Sequence, residues 1–575
     1  MKEAKSLGES TAAAPKHLLT TAEQSAYVNT GSYAEAVDLY RKLEKSSPYA
    51  RLTPIGKSGE GRDLYLFVAS KDKAFTAEAA RKTGKPVVFL QNGIHAGENG
   101  GKDAAIMLLR DVLATKKFAA WLDHAIILSI PVFNVDGHEH VSPYNRINEN
   151  GPAEMGFRVT AQRLNLNRDY IKADAPEMRA WLKVYTAWLP DFLIDNHVTD
   201  GSDYQWDVTI ATHTEQDIAA PVGRWVNDTY LPRLMAGMEK HGHLAGWYIE
   251  GRGSAGLPVM TASPRYSTGY AAAQNRAALL VETHSLKSFR TRVWSHYDIM
   301  RVTLDIVAAN ARALKDASRA ADALMASLKP GDKLFLQGRP GTRTEPYSQR
   351  LLESERYTGD AAGGPVTRYL AKPVDRPAEL NRSLVPAIEV PVPFGYVVPR
   401  QWREIIELLR THGVQMEPLP KETRGKFETY RFANVRFADR PFEGRFQVSG
   451  FELTPVEQTR ILPAGSMFVP MNQRASRLIA HILEPQAPDS AARWGFLHGI
   501  FEQKEYFSDY IFEPIAASML KRDAALKAEF EKKLAEDPAF AKNPRARLTW
   551  LFQRSPYYEQ DKDAYPIVKV RQRPW

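Results

Sequence analysis

Short apolar runs, each closed by a polar cluster or a glycine, alternate with amphipathic stretches through the first half of the chain. The clearest runs are Pro86-Val87-Val88-Phe89-Leu90, Ala125-Ile126-Ile127-Leu128-Ser129-Ile130, Asp191-Phe192-Leu193-Ile194-Asp195 and Ala277-Ala278-Leu279-Leu280-Val281. Runs of this length and apolarity predict strands buried on both faces. Another strand is expected at Leu64-Tyr65-Leu66-Phe67-Val68-Ala69, after the Gly59-Glu60-Gly61 turn. Helical spacing of Ala36, Leu39, Tyr40 and Leu43 predicts a helix over 33–45, and two more are expected over 102–109 and 177–188. Strands and helices alternating in this way predict an α/β fold, a mixed and mostly parallel sheet with helices on both faces.

Past about residue 328 the pattern changes. Pro330-Gly331, Gly338-Arg339-Pro340-Gly341 and Gly363-Gly364-Pro365 punctuate the chain, and the apolar runs shorten. Ala387 to Val392 and Phe427 to Phe432 read as short strands. A helix is expected over 402–412, with Gly413 as its C-cap. The Lys-, Glu- and Ala-rich tail beyond Pro514 reads as one or two charged surface helices. The expected organisation is a lead-in and helix over 1–45, a catalytic domain over 46–328, and a β-rich accessory domain with helical additions over 329–575.

Composition narrows the chemistry. With 575 residues and 44% hydrophobic content, the chain can bury a large core. No apolar run reaches membrane-spanning length. A net charge of +9, with Lys and Arg scattered along the chain, argues against a dedicated nucleic-acid binder. Cysteine is absent, so disulfides, thiolate metal sites and cysteine nucleophiles are excluded, and any zinc must be held by His and carboxylate. A cysteine-free chain of this length fits an exported bacterial protein better than a cytoplasmic one. The N-terminal stretch from Met1 to Pro15 shows no apolar signal core, and its small-residue part, Thr11 to Pro15, reads as a flexible lead-in.

Ligands of open α/β sheets bind beyond the carboxyl ends of strands. His95 and Glu98 follow the 86–90 run, His197 follows the 191–195 run, and Glu282 follows the 277–281 run. A catalytic zinc takes three protein ligands and keeps one position open for water. His95, Glu98 and His197 supply the three, and Glu282 stands beside the open position as general base. Other polar residues have plainer readings. His138, His140, His241 and His243 read as surface histidines, and His284 as a packed polar group. Asn134 and Asp136 before Gly137 serve either a turn or the support of a ligand.

Taken in order, His95-x-x-Glu98, Asn134-x-Asp136-Gly137, Asn167-Arg168, His197 and Glu282 resemble the M14 family of zinc carboxypeptidases, over residues 50 to 310. The resemblance implies one Zn2+ per chain on His95, Glu98 and His197, a ligand set known in zinc peptidases, with Glu282 as the catalytic carboxylate. It implies that Asn167 and Arg168 bind the free carboxylate of a peptide substrate. Arg158 falls where the family's oxyanion-stabilising arginine would be, with Arg146 as a competitor. Tyr266 and Tyr270 both fit the family's mobile phenol. Two departures stand out. Gly97 replaces an arginine that many members carry, and Asn165 replaces an aspartate that supports a zinc histidine. The expected activity is that of a metallocarboxypeptidase. The alternatives are a zinc amidohydrolase acting on cell-wall peptide or acyl-amino acids, and a non-catalytic peptide- or glycan-binding module. Oligomeric state is left open.

Overall fold

The apolar runs become the centre of one sheet. The computed structural model describes residues 10, 14–199, 201–249 and 256–575, so most of the N-terminal lead-in lies outside the described residues. The strands of the first half are β1 (Ala50–Lys57), β2 (Asp63–Ala69), β3 (Val87–Gln91), β4 (Ile126–Ile130), β5 (Phe192–Val198), β6 (Val208–Thr212), β7 (Ala245–Trp247), β8 (Leu257–Pro258) and β9 (Ala277–Thr283). All but β8 form an eight-stranded sheet in the order β1-β2-β4-β3-β5-β9-β6-β7. Its central ladder, β4-β3-β5-β9, is parallel. Antiparallel strands flank it, with β2 on one side and β6 on the other. β3, β4, β5 and β9 are buried at every position, as expected of strands covered on both faces.

The expected helices are present, with longer bounds than the sequence suggested. They span Tyr33–Ser46, Gly100–Leu113 and Pro176–Trp188. The first docks on the sheet. Its Tyr33, Ala36, Val37, Leu39, Tyr40 and Leu43 are buried, and the Tyr40 hydroxyl meets Ser129 Oγ on β4 at 2.8 Å. A capping box closes its N-terminus, with Ser32 and Glu35 each satisfying the other's backbone N–H.

Beyond residue 328 the structure is richer in strands than the pattern suggested. The strand expected at Ala387 to Val392 is present as Leu384–Pro391, and the one expected at Phe427 to Phe432 is part of a longer strand. Two long antiparallel ribbons pair Glu345–Thr358 with Pro365–Asn381 and Thr423–Phe437 with Val448–Leu462. The first ribbon lies against the connections of the eight-stranded sheet. β8 pairs with Leu380 and Asn381, and Gln205 N donates to Arg350 O at 3.0 Å. The helix Arg403–Thr411 ends at Gly413, whose φ of +73° is the left-handed cap conformation. The tail holds four helices between Asp509 and Phe552 around an aromatic core of Phe512, Phe530, Phe540 and Phe552. Among the described residues, no helix is long and apolar enough to cross a membrane.

One hydrophobic cluster runs from Leu18 through the eight-stranded sheet to Ile405, Leu478 and Ile567. Polar groups are trapped along the seam it crosses. A cavity of about 110 Å³ lies between residues 261–273 and 335–338, and Asp217 and His481 line it. Asp217 Oδ1 is sealed from solvent and has no hydrogen-bond partner among the described residues. Burial pushes this carboxyl up from 3.8 to about 7, against the pull of Arg477. The folded state therefore holds a proton that the unfolded chain has already released. Its contribution to stability is full below pH 4 and is lost as pH rises to about 7. Asp217→Asn is expected to stabilise the protein by about 2 kcal/mol at pH 8 and by almost nothing at pH 4. Thermal melts of both proteins at the two pH values read this out; equal melting at pH 8 would refute it.

Candidate active site

His95 and Glu98 leave the end of β3 on one turn, closed by the bond from Glu98 N to His95 O at 3.0 Å. The sequence reading put His197 and Glu282 just past their strands. The structure places both inside strand ends, His197 in β5 and Glu282 in β9, and pairs them directly in parallel register. Paired residues on neighbouring strands face the same side, so the imidazole and the carboxylate stand next to each other at the carboxyl edge of the sheet.

The donor atoms of His95, Glu98 and His197 lie within 4.8 Å of one another. His95 Nδ1 is 2.9 Å from Glu98 Oε1, His197 Nδ1 is 3.0 Å from Glu98 Oε2, and the two Nδ1 atoms are 3.2 Å apart. Two imidazole nitrogens and a carboxylate converging this closely form a donor set for a cation, and in the absence of thiolates it is the set zinc accepts. The remaining ring nitrogens fix the orientation. His95 Nε2 donates to Asn165 Oδ1 at 3.1 Å, and His197 Nε2 donates to Asp195 Oδ2 at 2.8 Å. Both histidines thereby turn Nδ1 toward the common point. Asp195 is held by Gln91 Nε2 and Ser267 Oγ, each at 2.5 Å.

The two histidines differ electrostatically. Burial pulls His95 down to about 4, so its ring is neutral at pH 7. For His197 burial acts the same way, but Asp195 and Glu98 more than offset it and hold the ring well above its ordinary range. Burial alone would raise Glu98. His95, Arg146 and His197 outweigh that effect and keep it ionised.

Arg146 fills the space beside Gly97 in the His95-x-x-Glu98 motif. A Cβ on Gly97 would lie 2.5 Å from Arg146 Cγ and 2.7 Å from Gly156 O, so only glycine leaves room for that side chain. Arg146, at a φ of +54°, donates to Glu98 Oε1 at 2.7 Å and to Glu149 Oε1 at 2.5 Å. Arg292 holds the other Glu149 oxygen at 2.7 Å. Arg146 is therefore built into the support of Glu98. Its sequence competitor Arg158 is 36% exposed, faces the cleft and lies 3.7 Å from Glu98 Oε1.

The cleft has a volume of about 300 Å³, and His95, Glu98, Arg158, Asn167, Arg168, Tyr266 and Glu282 line it. Asn167 and Arg168 sit on a 3₁₀ turn (Leu166–Arg168) capped by Asn165, whose Oδ1 accepts from Asn167 N at 2.9 Å. Asn167 Oδ1 is buried without a partner among the described residues. The Arg168 guanidinium lies over the Tyr266 ring, 4.4 Å from its centroid, and donates to Asn167 O at 2.7 Å. No carboxylate pairs with Arg168 among the described residues. Burial lowers its pKa, as expected of a cation left in a partly dry wall.

The structure separates the two candidate phenols. Tyr266 lines the cleft, whereas Tyr270 is fully buried and its hydroxyl meets His412 Nδ1 at 2.9 Å. Tyr270 packs among Tyr170, Trp181 and Tyr185, away from substrate, because residues 267–273 form a helix that turns it inward. Tyr248, which the sequence gave no reason to select, is in the cleft wall. Asn134 caps the short helix Val135–Glu139 through Gly137 N at 3.1 Å, and Asp136 binds Ser58 and Arg62, so both serve local structure. His138 and His243 are buried in pairs with Glu139 and Asp298 instead of lying on the surface, and His284 is buried against Asp203. None of these histidines joins a metal cluster among the described residues.

A parallel-centred sheet with two histidines and a glutamate at its carboxyl edge, and a second glutamate in register with His197, is an arrangement suited to metal-assisted hydrolysis. Residues 37–216 match the family model described as zinc carboxypeptidase, Peptidase_M14. The match spans the three ligand candidates, Asn167 and Arg168, and ends before Tyr266 and Glu282. Carboxypeptidase 2 of Trichophyton rubrum is 24% identical over 481 residues, 80% of this chain and 82% of its own length. Carboxypeptidase 2 of Trichophyton equinum is 25% identical, over 77% of this chain and 79% of its own length. Among solved structures, carboxypeptidase A of Helicoverpa armigera aligns at 16% identity with a TM-score of 0.37, covering 50% of this chain and 75% of that one.

Proposed function

We propose that the chain is a zinc metallocarboxypeptidase that removes the C-terminal residue of peptides, with one Zn2+ held by His95, Glu98 and His197. The observation that carries this reading is a cleft lined both by candidate cation ligands and by the Arg168 guanidinium, which has no carboxylate partner among the described residues. A zinc ion bound to the three ligands supplies Lewis acidity to the scissile carbonyl and makes a water nucleophilic at neutral pH. Arg168 receives the substrate's terminal carboxylate as a bidentate fork, steadied by its stack on Tyr266, with the Asn167 amide beside it. Glu282 takes a proton from the attacking water and returns it to the departing amine. Arg158 reaches the cleft near Glu98 and offers its charge to the developing oxyanion. Tyr266 closes over the bound carboxylate as the family's phenol.

Blocked dipeptides and their C-terminal amides test the reading. The free acids are expected to be cleaved and the amides spared. Arg168→Met is expected to raise KM for the free acids on the order of 10- to 100-fold, the loss of a charge-assisted pair. Equal cleavage of acids and amides would replace the reading with that of a broader zinc amidohydrolase. Binding without cleavage would leave a recognition module.

A further inference from the structure

The C-terminal region reaches the active site through one tight turn. Phe442 and Arg445 exchange both backbone hydrogen bonds, at 2.9 and 3.1 Å, across a two-residue loop of Glu443 and Gly444. Both loop residues have positive φ, +49° and +78°, the pattern of a type I′ hairpin turn. Asn, Asp and Gly suit the first of these positions; a glutamate there is strained. Strain held by a non-glycine residue calls for a reason in what its side chain touches.

Glu443 Oε2 accepts from the backbone N–H of Asn165 at 2.7 Å. Asn165 is the residue whose Oδ1 takes both His95 Nε2 and the N–H of Asn167. One carboxylate thus fixes the junction between a zinc histidine and the turn that carries Arg168. The surroundings lock it in place. Arg445 forks onto Asp174 at 2.7 and 2.6 Å, and Phe442 stacks on Trp494. Trp494 in turn carries Arg265, the neighbour of Tyr266, whose backbone N and Nε both bind the buried Asp489 at 3.0 and 2.6 Å. Two acidic residues from beyond position 328 therefore hold the two segments that carry Arg168 and Tyr266.

We infer that Glu443 is a positioning residue of the active site, supplied by the C-terminal region, which bears strain in its turn to hold Asn165 against His95 and the Arg168 turn. The inference rests on the zinc carboxypeptidase reading for its kinetic consequence, but not for its effect on metal retention. It gives the C-terminal region a defined task, completing the side of the cleft that takes the substrate carboxylate.

The test sets Glu443→Asn against Glu443→Gln in the full chain. Asparagine suits the turn but is one carbon too short to reach Asn165; glutamine keeps the reach and an acceptor oxygen. Thermal midpoint, zinc release to a chelator, and KM and kcat on a blocked dipeptide are measured for each. Glu443→Asn is expected to melt at or above the wild-type temperature, yet to release zinc about 10-fold faster and to show a KM about 10-fold higher, the usual cost of losing a partner behind a metal ligand. Glu443→Gln is expected to recover most of both losses. Wild-type zinc release and KM in Glu443→Asn would overturn the inference. So would equal losses in the two variants, or a lower melting point for Glu443→Asn, which would make the residue a part of the fold alone. A wild-type protein that holds zinc but cleaves no dipeptide would end the proposed function, and the zinc-release comparison would still decide this point.

Discussion

Glu282→Gln is expected to lower kcat by about 10³-fold while leaving zinc content and the melting temperature unchanged. Glutamine has the same shape and still accepts hydrogen bonds, so the cleft and the three ligands keep their places. It cannot take a proton from water, and proton transfer by a positioned side chain contributes roughly 10²- to 10⁴-fold. Glu282 is 9% exposed and lies in the β5–β9 register opposite His197. No other carboxylate lines the cleft among the described residues except Glu98, which His95, His197 and Arg146 already occupy. Steady-state kinetics with metal analysis on the same samples checks it. A variant retaining more than a tenth of the wild-type rate would remove Glu282 from the chemistry.

Chelation is expected to abolish hydrolysis and leave the protein folded. Each ligand has an anchor of its own. Asn165 holds His95, Asp195 holds His197, and Arg146 with Val198 N holds Glu98. The donor set thus stays assembled by protein contacts, in contrast to small zinc modules whose fold is the metal site. A ligand present at about 1,000 times its Kd adds about 4 kcal/mol, worth roughly 10 °C or less in a chain of this size. Dialysis against a chelator, followed by a thermal melt and an assay before and after zinc is returned, reads both quantities. Collapse of the cooperative melt on chelation would show that zinc holds the fold, and activity surviving chelation would dismiss zinc from the reaction.

The sheet and the convergence of His95, Glu98 and His197 were legible in the sequence for one reason. Strands buried on both faces leave uninterrupted apolar runs, and the functional groups sit where those runs stop. The role of Asp195 was legible in principle, since it lies two residues before His197 and so on the same face of β5, but its apolar neighbours made it look like the end of the strand. Arg146 was harder. It reaches Glu98 across 48 positions, and its place depends on the room Gly97 leaves. Glu443 acts from 278 positions away, and local sequence carries no trace of that contact. The first ribbon escaped because its strands are mostly exposed on both sides, so no period-two pattern marks them, whereas the second was legible only at Phe427 to Phe432. In the tail, the charged residues dominate the composition and mask the aromatic core that joins four short helices.

The pairing of His197 with Glu282 sets a length that side chains alone do not determine. Neighbouring strands in a hydrogen-bonded sheet stand about 4.8 Å apart, so the backbone spacing between His197 and Glu282 is a repeat distance of the sheet itself. Loops around the cleft can change sequence, lengthen or breathe without altering that interval. Substrate preference and turnover chemistry are therefore separable properties of this chain, the first written in its connections and the second ruled into its backbone.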